Sequence, residues 1–268
     1  MELLDIVGYF GAVLIGVILG LIGGGGSILT VPIFVYLLGI DPVSATAYSL
    51  LVVGTTSGIG AIRFSIKGLV DYKTGTVFAV PALLAVYITR KYLVPAIPNV
   101  IFNFENFTLS KDVAIMMFFA LIMLIASISM IRGRKQSQNE DKRSKLNIPI
   151  ILLEGVFVGI ITGLVGAGGG FLIIPALVLL AKLPMKIAVA TSLLIISVKS
   201  LIGFIGDIQN LTIEWGFILG FTSLSIVGIF IGIYLSQYIK SNNLKILFGW
   251  FVLAMGIYII INETLFLM

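Results

Sequence analysis

The sequence predicts an all-α, polytopic transmembrane protein built from two inverted repeats. Three observations predict it: an apolar composition, a glycine-rich segment that occurs twice, and the placement of the basic residues. Hydrophobic residues make up 59% of the 268 positions and charged residues only 11%, against about 25% charged in soluble domains. The length fits about eight or nine crossings of roughly 20 residues with short loops, and it leaves no soluble domain of useful size. There is no cysteine and no histidine. That excludes disulfides, thiol catalysis and cysteine metal sites, and removes the usual proton shuttle and the commonest transition-metal ligand. The start, Met1-Glu-Leu-Leu-Asp5, lacks the positive n-region of a signal peptide. The net charge of +5 lies in loops between apolar segments, where it reads as an orientation signal rather than as affinity for nucleic acid.

The repeat is direct. Gly16 to Pro32, with its run Gly23-Gly24-Gly25-Gly26-Ser27, returns as Gly159 to Pro175, with Gly166-Ala167-Gly168-Gly169-Gly170. The offset from Pro32 to Pro175 is 143 residues, and it continues without a gap. Ala45, Ala47, Ser49, Leu50, Leu51, Ser57 and Gly60 meet Ala188, Ala190, Ser192, Leu193, Leu194, Ser200 and Gly203. Duplicated, glycine-broken segments in a membrane chain point to a site between the halves.

In order, the apolar segments fall at about 3–22, 27–39, 43–62, 72–93 and 112–131, and then at 148–165, 170–181, 186–205, 213–236 and 245–262. The stretch 132–147 between them is polar and basic. The chain therefore divides into an N-terminal repeat (1–131), a linker (132–147) and a C-terminal repeat (148–268). The second segment of each half is too short to span and follows directly on glycines. It forms a re-entrant hairpin with the segment before it. Each repeat then has one hairpin and three full crossings, and an odd number of crossings turns the second repeat upside down.

The charges agree with inversion. With the linker cytoplasmic, the loops holding Arg63, Lys67 and Lys73, Lys182 and Lys186, and Lys240 and Lys245 are also inside. Thirteen of the 17 basic residues then lie inside, as the positive-inside rule requires. Arg90, Lys91 and Lys111 fall outside, and both termini are external.

Contiguous glycines cannot hold a regular helix, since each costs about 1 kcal/mol relative to alanine. The helix restarts near Ser27 in one copy and Gly170 in the other. A helix that begins inside the bilayer aims unpaired N–H groups and its positive dipole end at the midplane, which suits an anion. Gly24, Gly25, Gly26 and Ser27 in one repeat, and Gly168, Gly169 and Gly170 in the other, are the candidate cradle. Close packing is the competing use of glycine, and it accounts for Gly155, Gly159 and Gly163 at spacing four. Pro32 and Pro175 are read as tolerated kinks.

Lys199 stands in the middle of an apolar segment, where a lysine costs roughly 3 kcal/mol or more unless paired or wet. It either neutralises an anionic substrate or forms an internal ion pair, or it snorkels to the surface. Its repeat counterpart is Thr56, so one half alone supplies the charge. Ser49 and Ser192, kept in both copies, are candidate hydroxyl donors. Asp71 and Glu214 begin equivalent helices and read as caps. Glu154 reads equally as a coupling carboxylate or as an ion-pair partner. There is no carboxylate pair at metal or acid–base spacing, so neither an enzyme nor a metal or cofactor site is expected.

The doubled G-x-G-G-G-x-x-x-x-P pattern, the A-x-x-x-S stretches at Ala45–Ser49 and Ala188–Ser192, and the basic central linker together resemble the sulfite exporter TauE/SafE family of membrane permeases. The resemblance covers nearly the whole chain. Serine stands at position 27 where the second copy has Gly170. The resemblance implies a transporter of sulfur-containing anions such as sulfite or organosulfonates. The residues themselves point to a carrier of a small oxyanion in the cell membrane, with lipid as neighbour and a homo-oligomer possible. An anion channel and a permease for small carboxylates share the same cradle. Single cysteines replacing Asn139 and Ile208 are predicted to label from opposite sides of the membrane with an impermeant maleimide. Labelling from one side refutes the inversion.

Overall fold

The computed structural model describes residues 3–24, 26–104, 107–132, 148–166, 168–179, 181, 183–236, 238 and 241–267. The linker beyond Arg132, Gly25 and Ala167 lie outside the described residues. The helices, in order, are α1 (Leu3–Ile22), α2 (Ser27–Pro32), α3 (Pro42–Ile66), α4 (Tyr72–Ile88), α5 (Val94–Ala96) and α6 (Lys111–Ile131). After the linker come α7 (Ile148–Val165), α8 (Gly170–Leu179), α9 (Met185–Asp207), α10 (Trp215–Leu235) and α11 (Ser241–Leu267). Five spans are long and apolar enough to cross a bilayer: α3, α4 through α5, α6, α9 and α10. The 27-residue α11 carries a shorter apolar stretch, Gly249–Leu265.

Both glycine runs break the helix as expected. Gly23, Gly166, Gly168 and Gly169 have positive φ, a conformation in which a side chain is strained. Helix resumes at Ser27 and at Gly170. Pro32 ends α2, and the chain widens into a π-helical turn, Ile33–Leu37. A proline has no N–H to donate and crowds the carbonyl four residues back, and the wider turn relieves both. From Ser27 to Leu37 the rise is about 16 Å, and α8 rises about 15 Å, each about half of a hydrocarbon core. Asp71 caps α4, accepting from the Thr74 N–H at 3.0 Å. Glu214 holds the corresponding position without a side-chain cap; its N–H donates to the Tyr48 hydroxyl at 2.9 Å.

One element was not expected from the sequence. Val100–Phe104 and Phe107–Ser110 form a short antiparallel hairpin, β1 and β2, between α5 and α6. Its branched and aromatic residues suit a strand, but the segment is too short to register against the apolar helices on either side.

Packing interleaves the two copies. The most extensive contacts join α1 to α10, α4 to α7, α3 to α9 and α6 to α11, followed by α4 on α9 and α10 on α3. Replacing each helix by its repeat counterpart leaves this set of pairs unchanged. Contacts climb α3 as they descend α9: Gly54 meets Leu201, Gly58 meets Ser197 and Gly60 meets Leu193. The first two exchange under the 143-residue offset, which brings Thr56 and Lys199 together at the crossing point. Small residues permit the close approaches. Gly16, Gly20, Gly228 and Gly232 bring α1 and α10 backbone to backbone, Gly155 and Gly159 do the same for α7 on α4, and Gly163 makes room for the side chains of Thr89 and Val86.

A Cβ at Gly159 would lie 2.5 Å from the Ala82 carbonyl oxygen, whereas one at Gly216 would meet nothing within 4 Å. Gly159→Leu is therefore predicted to destabilise the protein by about 1–3 kcal/mol or more, and Gly216→Leu to leave it unchanged. Thermal unfolding in detergent, compared between the two variants, checks this.

Candidate functional site

The two glycine segments meet at the centre of the fold. A Cβ placed at Gly24 would lie 2.5 Å from the Gly170 Cα, so only glycine at both positions permits the approach. Gly26 packs back on α1, against the Ile15 carbonyl. Gly23 rests on Val189, and its counterpart Gly166 rests on Thr46, which is itself the counterpart of Val189. The Ser192 hydroxyl lies 3.0 Å from the Gly23 carbonyl and 2.8 Å from that of Val189, so its proton ties the first glycine segment to α9. The equivalent Ser49 hydroxyl is buried and makes no hydrogen bond among the described residues.

Lys199 reaches this centre. It is fully buried, and its Nζ donates to the Thr162 hydroxyl at 2.6 Å. Gly169 packs against the same two groups: a Cβ there would lie 3.0 Å from Nζ. No carboxylate pairs with Lys199 among the described residues. Its counterpart Thr56 turns away and donates to the Ser225 hydroxyl at 3.2 Å. The structure thus brings together Gly24, Gly169, Gly170 and Lys199, with Gly168 adjoining and Ser192 engaged at the other glycine segment. The side chain of Ser27 lies outside the described residues, as does all of Gly25. Glu154 is half-buried on α7, and no described basic residue pairs with it.

Arg90, which the sequence reading assigned to the outside with the flanking charges, has its side chain fully buried within the protein. It lies in a π-helical turn, Thr89–Leu93, that continues α4. Pro95 follows on α5, and its clash with the carbonyl four residues back accounts for the widened turn. Arg90 Nη1 donates to the Thr46 hydroxyl at 3.0 Å and lies 3.3 Å from Asp207 Oδ2. Removing either member of a buried ion pair leaves the other uncompensated, at about 3–5 kcal/mol. The sequence held one clue, a proline five residues beyond an arginine at the end of an apolar segment.

A mainly apolar cleft of about 290 Å³ opens at the C-terminal end of α3, lined by Ala61, Ile62, Ile66, Val70 and Leu194, with Ser65, Tyr72 and Ser197 at its polar positions. The repeat counterparts of Ala61 and Tyr72 are Phe204 and Trp215. Those rings meet edge to face with centroids 6.1 Å apart.

The sulfite exporter TauE/SafE family model matches residues 8–259. The chain belongs to the sulfite exporter TauE/SafE family. It is 27% identical over 252 residues to a probable membrane transporter protein of Xylella fastidiosa (strain 9a5c), covering 92% of this chain and 91% of that one. It is 28% identical over 229 residues to the probable membrane transporter protein YunE of Bacillus subtilis (strain 168), covering 76% and 79%. No solved structure is a significant match. Membership and the apolar helices make this a multi-pass membrane permease.

Thr162 is the one acceptor for Lys199 among the described residues. Thr162→Val is predicted to lower stability by about 1–3 kcal/mol, the cost of leaving a buried donor unpaired. An unchanged melting temperature would mean that Nζ finds another acceptor.

Proposed function

We propose that this permease carries small sulfur-containing oxyanions, sulfite or organosulfonates, by alternating access around a seat at the N-terminus of α8. The observation that carries the reading is the position of Lys199 Nζ, buried without an ion-pair partner among the described residues and beside Gly169 at the start of a ten-residue helix. First-turn N–H groups lack intrahelical acceptors. With the positive end of the helix dipole, they favour a negative guest. A lysine ammonium adds a charge that the hydroxyls of Thr162 and its neighbours cannot supply. Because Gly24 and Gly170 touch, the guest sits on the Lys199 side of the glycine junction rather than between the two tips. Glycine keeps the backbone open to its oxygens.

Alternating access draws support from the two ends of the α3–α9 pair. The cleft at Ala61 and Tyr72 is open, and the equivalent place at Phe204 and Trp215 is filled by rings. In this reading the open end faces the cytoplasm, the 132–147 linker lies on the same side, the repeats are inverted and the termini are external. The antiparallel contacts of α3 and α9 support the inversion. Because α1 packs on α10 and α7 on α4, each moving body draws helices from both repeats. The choice of a sulfur oxyanion rests on the family.

Sulfite is expected to raise the melting temperature of purified protein by several degrees, more than acetate does, and Lys199→Ala is expected to abolish the shift. An unchanged sulfite affinity in that variant removes Lys199 from the seat. Proteoliposomes should show saturable sulfite counterflow. Flux without saturation or counterflow marks a channel, and a larger shift with acetate marks a carboxylate permease.

A further inference from the structure

The end of α3 opposite the cleft holds a second set of buried polar groups that the central seat leaves unused. Thr46 and Ser65 lie 19 residues apart on α3, a rise of about 29 Å, so the two ends are separated by about the thickness of a hydrocarbon core. At the Thr46 end, Arg90 is fully buried, yet its Nε and Nη2 have no hydrogen-bond partner among the described residues. Among them Nη1 alone donates a hydrogen bond, to the Thr46 hydroxyl. Asp207 Oδ2 lies 3.3 Å from Nη1, at ion-pair distance, but accepts no well-aligned hydrogen bond among the described residues. The carboxylate therefore neutralises the guanidinium without closing the two-pronged pairing that an arginine makes with an aligned carboxylate.

Two neighbours make this more than a structural ion pair. Ser49 lies three residues beyond Thr46 on α3, and its hydroxyl is also buried, with no hydrogen bond among the described residues. Thr46 packs on Gly166, three residues before Gly169 at the central seat. The repeat counterparts of Arg90, Asp207 and Thr46 are Ile233, Phe64 and Val189, so the set exists at one end only.

We propose that Arg90 forms a second oxyanion subsite, between the central seat and the end opposite the cleft, where an arriving oxyanion displaces Asp207. The Nε–Nη2 edge of the guanidinium presents two parallel N–H donors, the pattern that binds two oxygens of one anion. Asp207 covers the charge between passages and competes with the guest, which keeps the subsite weak enough to release it. The proposal rests on the carrier reading for the nature of the guest.

The test compares sulfite binding and counterflow in the full-length protein with those of Asp207→Asn, which removes the competing carboxylate and keeps the shape. Sulfite is expected to bind this variant about tenfold tighter or more, the scale of one charge-assisted hydrogen bond, and counterflow is expected to slow as release is delayed. An Asp207→Asn protein with wild-type sulfite affinity and counterflow overturns the subsite. If that variant does not fold, the uncharged pair Arg90→Gln with Asp207→Asn serves instead. It is expected to keep sulfite-dependent thermal stabilisation at the Lys199 seat and to lose about tenfold in counterflow rate, again the scale of one charge-assisted hydrogen bond. Wild-type counterflow in the double variant overturns the proposal. A wild-type protein that responds to sulfite in neither assay overturns the carrier reading together with the subsite. A responding wild type with unaltered variants overturns the subsite alone.

Discussion

Backbone polar groups inside a bilayer must find partners in the protein or line a wet space, and the rest of this structure follows from how that constraint is met at the two glycine runs. Breaking α1 and α7 leaves amides and carbonyls near the core of the fold. The breaks are sheltered because Gly24 and Gly170 let the two segments touch, and because Ser192 caps the Gly23 carbonyl. A side chain at either glycine would force the segments apart. The same close approach delivers the start of α8 to the buried end of Lys199.

The interleaving of the copies is the second consequence. Each broken segment is held by the opposite repeat: Gly23 by Val189 of the second, Gly166 by Thr46 of the first. Each break also packs on its own repeat, Gly26 on α1 and Gly169 on Thr162 and Lys199. Glycine stripes at spacing four then bring α1 onto α10 backbone to backbone and let α7 pack closely on α4, as expected where dispersion and shape, rather than water exclusion, drive helix association.

Much of this was legible in the sequence because it depends on periodicity, glycine and charge. The doubled motif marked both breaks to within a residue or two, and Lys199 stood out as a charge in an apolar run. The packing role of Gly155, Gly159 and Gly163 was readable from spacing alone. Arg90 was not legible, because an arginine near the end of an apolar segment looks like a flanking charge. Its inward turn depends on the π-helical widening before Pro95 and on Asp207, 117 positions away. The unequal roles of Ser49 and Ser192 were equally hidden. The sequence keeps the residue in both copies, yet Ser192 reaches the carbonyls of Val189 and Gly23, whereas Ser49 has no acceptor among the described residues.

Thr56 and Lys199 share the crossing point of α3 and α9, a place the repeat maps onto itself. In a symmetric pair of identical subunits, that place would receive two copies of whatever residue stood there. Two ammonium groups so near each other in a medium of low polarity would repel strongly. A lone cation at the crossing therefore requires two halves that are not identical. Joining two copies in one polypeptide let one of them become charged while its twin stayed neutral.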